Sequence, residues 1–240
     1  MRQHKWTAIR AMTLAFAVLA VASSTLTLSR PAAGHEPPGV ELIGHEQLTG
    51  TSYPVVRDLN VPALPGVPAE RSMAVGVDPI VVNSNSFKCL DVANYGTSNL
   101  DNVQQWTCHL PQTQNQLWNL SFVEYFIDQG NVRHSVYNFK ESGTNECLEA
   151  YNWGVKDGTN VDIYACAPAG QHHGNQMWIA DGGSGRLYNF GATVARSSWI
   201  ALDVVCTAGT GYGKNSGANV QLWHQTSTNS CGGKNQEWDW

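Results

Sequence analysis

The sequence predicts an all-β fold built from three copies of one unit. Gln-x-Trp occurs three times at intervals of 60 residues, each time preceded by Asn. Short β-forming segments alternate with clusters of Gly, Asn, Ser and Asp, and no helical apolar period persists beyond residue 79. Three all-β copies are best explained by a closed threefold arrangement, because closure protects strand edges. The tripeptides are Gln116-Leu117-Trp118, Gln176-Met177-Trp178 and Gln236-Glu237-Trp238.

Residues 1–33 are expected to be a signal peptide. Three cationic residues precede an apolar run that only Thr13 interrupts, and small residues follow, with cleavage expected after Ala22 or near Ala33. Ser and Thr residues end the run before the ~20 apolar residues that a membrane span needs, so a membrane anchor is the less favoured alternative. We therefore expect a secreted, extracellular protein with no membrane span after signal cleavage.

Residues 34–78 are expected to be a Pro-rich linker or pro-segment. Eight of the 10 Pro lie before residue 81, and the segment has no sustained period of 2 or 3.6. Roughly 160 residues follow, enough for one domain with a sizeable core.

Net charge limits the class of partner. Signal cleavage would remove four Lys and Arg, leaving ten against 19 Asp and Glu. A broad nucleic-acid footprint is therefore not expected.

Two further blocks precede each Gln-x-Trp in a constant order. The first is a short acidic tag: Cys89-Leu90-Asp91-Val92, Cys147-Leu148-Glu149-Ala150 and Ala201-Leu202-Asp203-Val204. The second is an aromatic block that Asn opens: Asn102-Val103-Gln104-Gln105-Trp106, Asn160-Val161-Asp162-Ile163-Tyr164 and Asn219-Val220-Gln221-Leu222-Trp223. The Trp of each later Gln-x-Trp is expected in the core, one per copy around the threefold axis.

The six Cys fit the repeat. In an oxidising compartment an even count favours disulfides, and six Cys allow 15 pairings. Two pairs with the same separation of 19 would clamp the acidic tag to the end of the aromatic block in the first two copies. The remaining two Cys would pair across a Gly-rich loop. The expected disulfides are Cys89 with Cys108, Cys147 with Cys166, and Cys206 with Cys231.

In motif order, these blocks resemble the repeats of ricin-B-type (R-type) lectin domains over about residues 79–240. The resemblance implies a β-trefoil. It also implies a shallow sugar pocket in each copy, formed by the acid, the Gln two residues before the aromatic, that aromatic, and the Asn-Gln of the last block. The 60-residue period is longer than is common in this family, so some loops are expected to be enlarged.

The residue types suit a sugar independently of the resemblance. A carboxylate accepts from hydroxyls, amides both donate and accept, and an aromatic ring offers a flat surface to the aliphatic face of a sugar. The alternative is that the acid and the Asn-Gln pair only bind turn backbone. The expected sugar contacts of the first copy are Asp91, Gln104, Trp106, Asn115 and Gln116. Those of the third are Asp203, Gln221, Trp223, Asn235 and Gln236.

The second copy departs from the pattern. It has Glu for Asp, Asp for Gln and Tyr for Trp, so we expect this site to be weak, altered in preference or silent. Its residues are Glu149, Asp162, Tyr164, Asn175 and Gln176.

The predicted function is carbohydrate binding, with galactose-, arabinose- or xylose-type sugars all compatible with these groups. No catalytic motif is recognisable, so we expect a monomeric binding module without cofactor or metal. The alternatives are a β-trefoil protease inhibitor or another protein-binding module, and, less favoured, a glycosidase that uses the two carboxylates of the second copy.

Overall fold

A computed structural model describes residues 41–48, 51–58, 60–64, 79–207, 211 and 213–240. The expected signal peptide and both of its candidate cleavage sites lie outside these residues. Within the described ranges, no helix is both long and apolar enough to cross a membrane.

Each copy contributes four strands to a β-trefoil, which confirms the predicted fold class. The first copy has β3 (Val82–Asn83), β4 (Cys89–Val92), β5 (Val103–Trp106) and β6 (Trp118–Ile127). The second has β7 (Arg133–Glu141), β8 (Glu146–Ala150), β9 (Val161–Ala165) and β10 (Trp178–Asp181). The third has β11 (Arg186–Asn189), β12 (Ile200–Val204), β13 (Ala218–His224) and β14 (Trp238–Asp239). Two further strands precede the trefoil, β1 (Glu41–Leu48) and β2 (Thr51–Arg57), and a short helix, α1 (Phe190–Arg196), follows β11.

The three copies close on one another. The last strand, β14, pairs with β3, the first strand of the trefoil, while β6 pairs with β7 and β10 with β11 at the joins between copies. Around the axis, β13 pairs with β5, and single bridges join Asn102 to Asp162 and Asn160 to Gln221. Every copy therefore contacts both of the others.

The Asn that opens each aromatic block takes part in a closed ring of hydrogen bonds. Asn160 Nδ2 donates to Asn102 Oδ1 at 2.9 Å, and Asn219 Nδ2 donates to Asn160 Oδ1 at 2.8 Å. Asn102 Nδ2 completes the ring by donating to Asn219 Oδ1 at 3.0 Å. Each Asn side chain thus donates a hydrogen bond to one neighbour and accepts a hydrogen bond from the other, which links the three copies at the axis.

The Trp of each Gln-x-Trp lies in the core, as predicted. All three side chains are buried in one cluster with the inward-facing Val and Leu of the strands. Each indole Nε1 donates to the carbonyl of the Leu in the acidic tag of its own copy, at 3.2, 2.9 and 3.1 Å. The last block of each copy is thereby fixed to the tag.

The structure contains the three expected disulfides, Cys89–Cys108, Cys147–Cys166 and Cys206–Cys231. In the first two copies the half-cystine of the tag lies directly opposite the aromatic residue, Trp106 or Tyr164, on the neighbouring strand. In the third copy Ala201 occupies the corresponding place opposite Trp223.

The structure differs from the linker expected over residues 34–78. β1 and β2 form an antiparallel hairpin, and β2 pairs in parallel with β6 from Val55 to Arg57. Val61 and Leu64 are buried against the trefoil, and Trp199 Nε1 donates to the Pro62 carbonyl at 2.7 Å. The described part of this segment is folded because the long strand β6 offers it an edge.

A second apolar cluster accounts for the length of the repeats. β6 and β7, with 10 and 9 residues, extend beyond the trefoil core, and α1 lies between β11 and β12. Their apolar side chains pack with those of the N-terminal segment, away from the three core Trp. The cluster includes Val56, Val61, Leu64, Phe126, Val136, Phe190, Val194 and Trp199.

We predict that Asn160→Ala lowers the free energy of unfolding by about 1–2 kcal/mol, because it leaves Asn102 Oδ1 and Asn219 Nδ2 without partners in a partly buried site. Urea denaturation followed by Trp fluorescence would measure the change. The matched control is Asn145→Ala, at an exposed position, where the change should stay within about 0.5 kcal/mol. Equal effects of the two substitutions would contradict a structural role for the ring.

Candidate functional site

The first copy encloses a carboxylate between amide side chains. Asp91 on β4 lies directly opposite Gln104 on β5, and Gln104 Nε2 donates to Asp91 Oδ1 at 2.9 Å. Asn115 Nδ2 and Gln116 Nε2 both donate to Asp91 Oδ2, at 2.7 and 2.8 Å. Three amide donors from two different blocks therefore fix the orientation of this carboxylate.

The third copy repeats this arrangement atom for atom. Gln221 Nε2 donates to Asp203 Oδ1 at 3.0 Å. Asn235 Nδ2 and Gln236 Nε2 donate to Asp203 Oδ2 at 2.7 and 3.0 Å. The two complete sites that the sequence predicts thus have the same internal geometry.

The Asn-Gln pair of the last block holds the acid. In both copies these amides are buried, and both N–H groups of each are donated to protein acceptors. The Gln carbonyl oxygens also accept backbone N–H groups, from His109 in the first copy and Thr226 in the third. We expected this pair among the sugar contacts, which stays a prediction; its bonds also make it a clamp that positions the carboxylate. The clamp residues are Asn115, Gln116, Asn235 and Gln236.

An open cavity of about 240 Å³ adjoins Asp203. It brings together four of the five residues predicted for the third copy, while Gln236 is not among its lining residues. Trp223 is only partly buried and forms part of the wall. Sequence reasoning missed the other lining residues, which come from the loops on either side of the third disulfide. The cavity is lined by Asp203, Val205, Cys206, Thr207, Gln221, Trp223, Asn229 and Asn235.

The first copy presents two aromatic surfaces near Asp91. Trp106, at the end of β5, is exposed. Tyr95 is also exposed, and its ring stacks on His109 with centroids 5.7 Å apart and an interplanar angle of 13°. Tyr95 and His109 were not predicted from the sequence.

The second copy keeps the Asn-Gln clamp but has a different residue opposite the clamped acid. Asn175 Nδ2 and Gln176 Nε2 both donate to Glu149 Oε2, at 3.1 and 2.9 Å. Asp162 lies directly opposite Glu149, where the other copies have Gln, and its buried Oδ1 has no hydrogen-bond partner. The amide donor to the second carboxylate oxygen is therefore replaced by another acceptor.

The cavity of the second copy is larger, at about 610 Å³. Three exposed aromatic side chains line it, namely Tyr151, Trp153 and Tyr164, and Glu149 and His173 contribute polar groups. A silent or weak second site therefore stays a prediction; the substitutions have left an open cavity in place.

Tyr95 and Trp153 share a local motif that could have been found in the sequence. Each ends a single 3₁₀ turn just after the acidic tag, within Asn94-Tyr95-Gly96 or Asn152-Trp153-Gly154. Both residues before the Gly have positive φ, at 57° and 57° in the first copy and 49° and 57° in the second. Asn tolerates this left-handed conformation, and the turn carries the aromatic side chain outward. The third copy has Cys206 and Thr207 in this region instead.

Burial dominates the protonation of the four acids. It raises the pKa of Asp91 and of Glu149, and it raises the pKa of Asp203 to about 6, with the amide bonds offsetting part of the effect. Burial and then the neighbouring Glu149 raise the pKa of Asp162 to about 7. Asp162, to which no side-chain amide of the described residues donates, thus has a higher pKa than Asp203, to which three amides donate.

Comparison with known proteins confirms the resemblance over part of the chain. Residues 80–164 match a family model described as "Ricin-type beta-trefoil lectin domain-like". They span the first copy and the second as far as Tyr164, so they include the first site and most of the second. No curated protein matches the chain.

Solved structures resemble the chain at low sequence identity. The designed three-fold symmetric protein ThreeFoil is 28% identical with a TM-score of 0.48, and the match covers 66% of this chain and 94% of that one. The mdaA-1 domain, solved in solution, is 13% identical with a TM-score of 0.51, covering 71% and 92%. The C-half of the earthworm R-type lectin, crystallised with GalNAc, is 17% identical with a TM-score of 0.43, covering 67% and 94%.

We predict that the free energy of unfolding falls as pH rises from about 4 to about 6, in part because of Asp203. In this window the native carboxyl holds a proton that the unfolded carboxyl, with a pKa near 3.8, has released. Asp203→Asn should reduce the proton difference between the two states by about one in this window. Urea denaturation at a series of pH values would measure the slope.

A carboxyl-carbon NMR titration provides an independent check. Asp203 should titrate near pH 6. Asp157 should titrate below its ordinary value of 3.8, because hydrogen bonds from His224 and Arg196 lower its pKa against the effect of burial. A midpoint near 4 for Asp203 would show that this carboxyl is not enclosed as described.

Proposed function

We propose that this protein is a secreted carbohydrate-binding module whose first and third copies bind sugar at Asp91 and Asp203. The observation that carries the proposal is the pair of carboxylates held by identical sets of three amide donors. The family match over residues 80–164 supports the same function. In this proposal residues 1–33 are the signal peptide, 79–240 form the lectin domain, and the protein is a monomer that needs no cofactor and catalyses no reaction.

The hydrogen bonds leave capacity for a ligand at one oxygen. Two clamp amides occupy Asp203 Oδ2, whereas Oδ1 accepts only from Gln221 among the described residues. A carboxylate has about four lone-pair sites, so Oδ1 can still accept from a sugar hydroxyl. Asp91 Oδ1 has the same free capacity beside Gln104.

The Gln opposite each acid supplies the complementary groups. Gln221 lines the cavity and donates one N–H to Asp203, which leaves a second N–H and the carbonyl oxygen for a ligand. A sugar hydroxyl that donates to Asp203 can accept from this amide. We therefore assign sugar contact to the acid, the Gln of the aromatic block and the aromatic residue, and a positioning role to the Asn-Gln clamp.

The aromatic residues complete each site. Trp106 and Trp223 leave part of the indole open to solvent beside the carboxylate, as a surface for the aliphatic face of a sugar ring. Galactose-, arabinose- and xylose-type sugars all present such a face beside vicinal hydroxyls. Shallow sites bind single sugars weakly, but two sites on one rigid body can raise apparent affinity for a polysaccharide by roughly 10² to 10⁴.

We predict that Asp91→Ala and Asp203→Ala each reduce retention of the protein on a polysaccharide affinity gel, and that the double substitution abolishes retention of neutral polysaccharides. Each change removes the hydroxyl acceptor of one site. Frontal affinity chromatography against galactose-, arabinose- and xylose-containing polymers would measure the effect. Full retention of a folded double variant would overturn the proposal.

Two further variants separate binding from folding. Asp→Ala leaves clamp amides unpaired and can destabilise the fold, whereas Gln104→Ala and Gln221→Ala keep the clamp intact and should still weaken retention. Asp239→Ala, at an exposed position on β14, controls for the loss of one negative charge and should leave retention unchanged.

A further inference from the structure

One acid, Glu149, lines the cavity of the second copy, and a second acid, Asp162, lies next to it on the neighbouring strand. Glu149 and Asp162 are direct partners across β8 and β9, so their side chains point to the same face of the hairpin. Glu149 lines the cavity, and among the described residues its Oε1 accepts no hydrogen bond. Asp162 is only 1% exposed, and its Oδ1 has no partner. Glu149 therefore lacks the third amide donor that Asp91 and Asp203 have.

No cationic side chain of the cavity compensates this charge. The residues that line it include neither Lys nor Arg. The basic group among them is His173, whose pKa burial lowers, which favours its neutral form. Two adjacent carboxylates repel each other, so a positively charged ligand group bound at Glu149 would also gain from the neighbouring Asp162.

The walls of the cavity also suit a cation. Tyr151, Trp153 and Tyr164 are 46%, 42% and 40% exposed, and all three line the space above Glu149. Trp153 is held against His173 with ring centroids 5.4 Å apart. The negative faces of aromatic rings attract a cation within about 6 Å of the ring centre, and the attraction grows as the cation loses water.

We propose that the second copy binds an amino sugar whose amine is free and protonated, as part of a polysaccharide. An ammonium group can donate to Glu149 Oε1, and the neighbouring Asp162 adds electrostatic attraction, while the pyranose ring lies against the aromatic walls. A cavity of about 610 Å³ has room for more than one sugar ring. This inference rests on the proposed carbohydrate binding and assigns a different ligand chemistry to one copy.

The test uses the full protein and the Asp91→Ala/Asp203→Ala double variant, in which only the second copy is intact. Isothermal titration calorimetry compares a glucosamine tetrasaccharide with its fully N-acetylated counterpart, which has the same rings without the charge. The double variant should bind the amine form at least about tenfold more tightly, and added salt should weaken this binding. Equal binding of the two tetrasaccharides, or no binding of the amine form, would overturn the inference.

Substitutions within the second copy locate the effect. Asp162→Gln restores the residue type of the other copies and should reduce affinity for the amine form by about tenfold while increasing affinity for neutral sugars. Tyr164→Ala leaves both acids in place and should also weaken binding of the amine form. Asp239→Asn removes an exposed negative charge elsewhere, so an equal loss in this control would reveal only nonspecific attraction and would contradict the proposal.

The two proposals can fail separately. If the full protein retains neutral polysaccharides through Asp91 and Asp203 while the amine form does not bind the double variant, the inference about the second copy is wrong and the lectin function stands. If neither class of sugar binds a correctly folded protein, both proposals are wrong.

Discussion

The attachment of the last block of each copy to a buried acid organises the rest of the structure. Asn and Gln bind the carboxylate, and the Trp two residues later donates to the carbonyl just before it. The Asn-Gln-x-Trp segment thereby fixes both the carboxylate of the acidic tag and an indole in the core. A buried carboxylate without these donors would cost several kcal/mol, so acid and clamp depend on each other.

The clamp and the residue opposite the acid have separate roles, which explains how the copies can differ. The clamp amides donate to the acid in all three copies, whereas the residue opposite the acid faces a cavity in the third copy and is free to change. In the second copy Gln becomes Asp162 while Asn175 and Gln176 still bind the longer acid. The fold is preserved, and the ligand that the copy can accept is altered.

The sequence was most informative where the same residues recur. The three copies, the core Trp and the Cys pairs could all be predicted, because each repeat constrains the interpretation of the others. The clamp could not be predicted, because Asn and Gln can bind either a sugar or a carboxylate and the sequence does not show which of these side chains are buried. The strand pairing of Thr51–Arg57 was missed, since it depends on an edge that β6 supplies from 70 residues further on.

The asparagine ring requires one Asn from each of the three copies. A chain that ended after the second copy would retain the bond from Asn160 to Asn102 but lack both bonds of Asn219, and β3 would have no β14 to pair with. The ring of hydrogen bonds is closed only when the third copy is present. The contacts that join the copies are therefore complete only when all three copies are present.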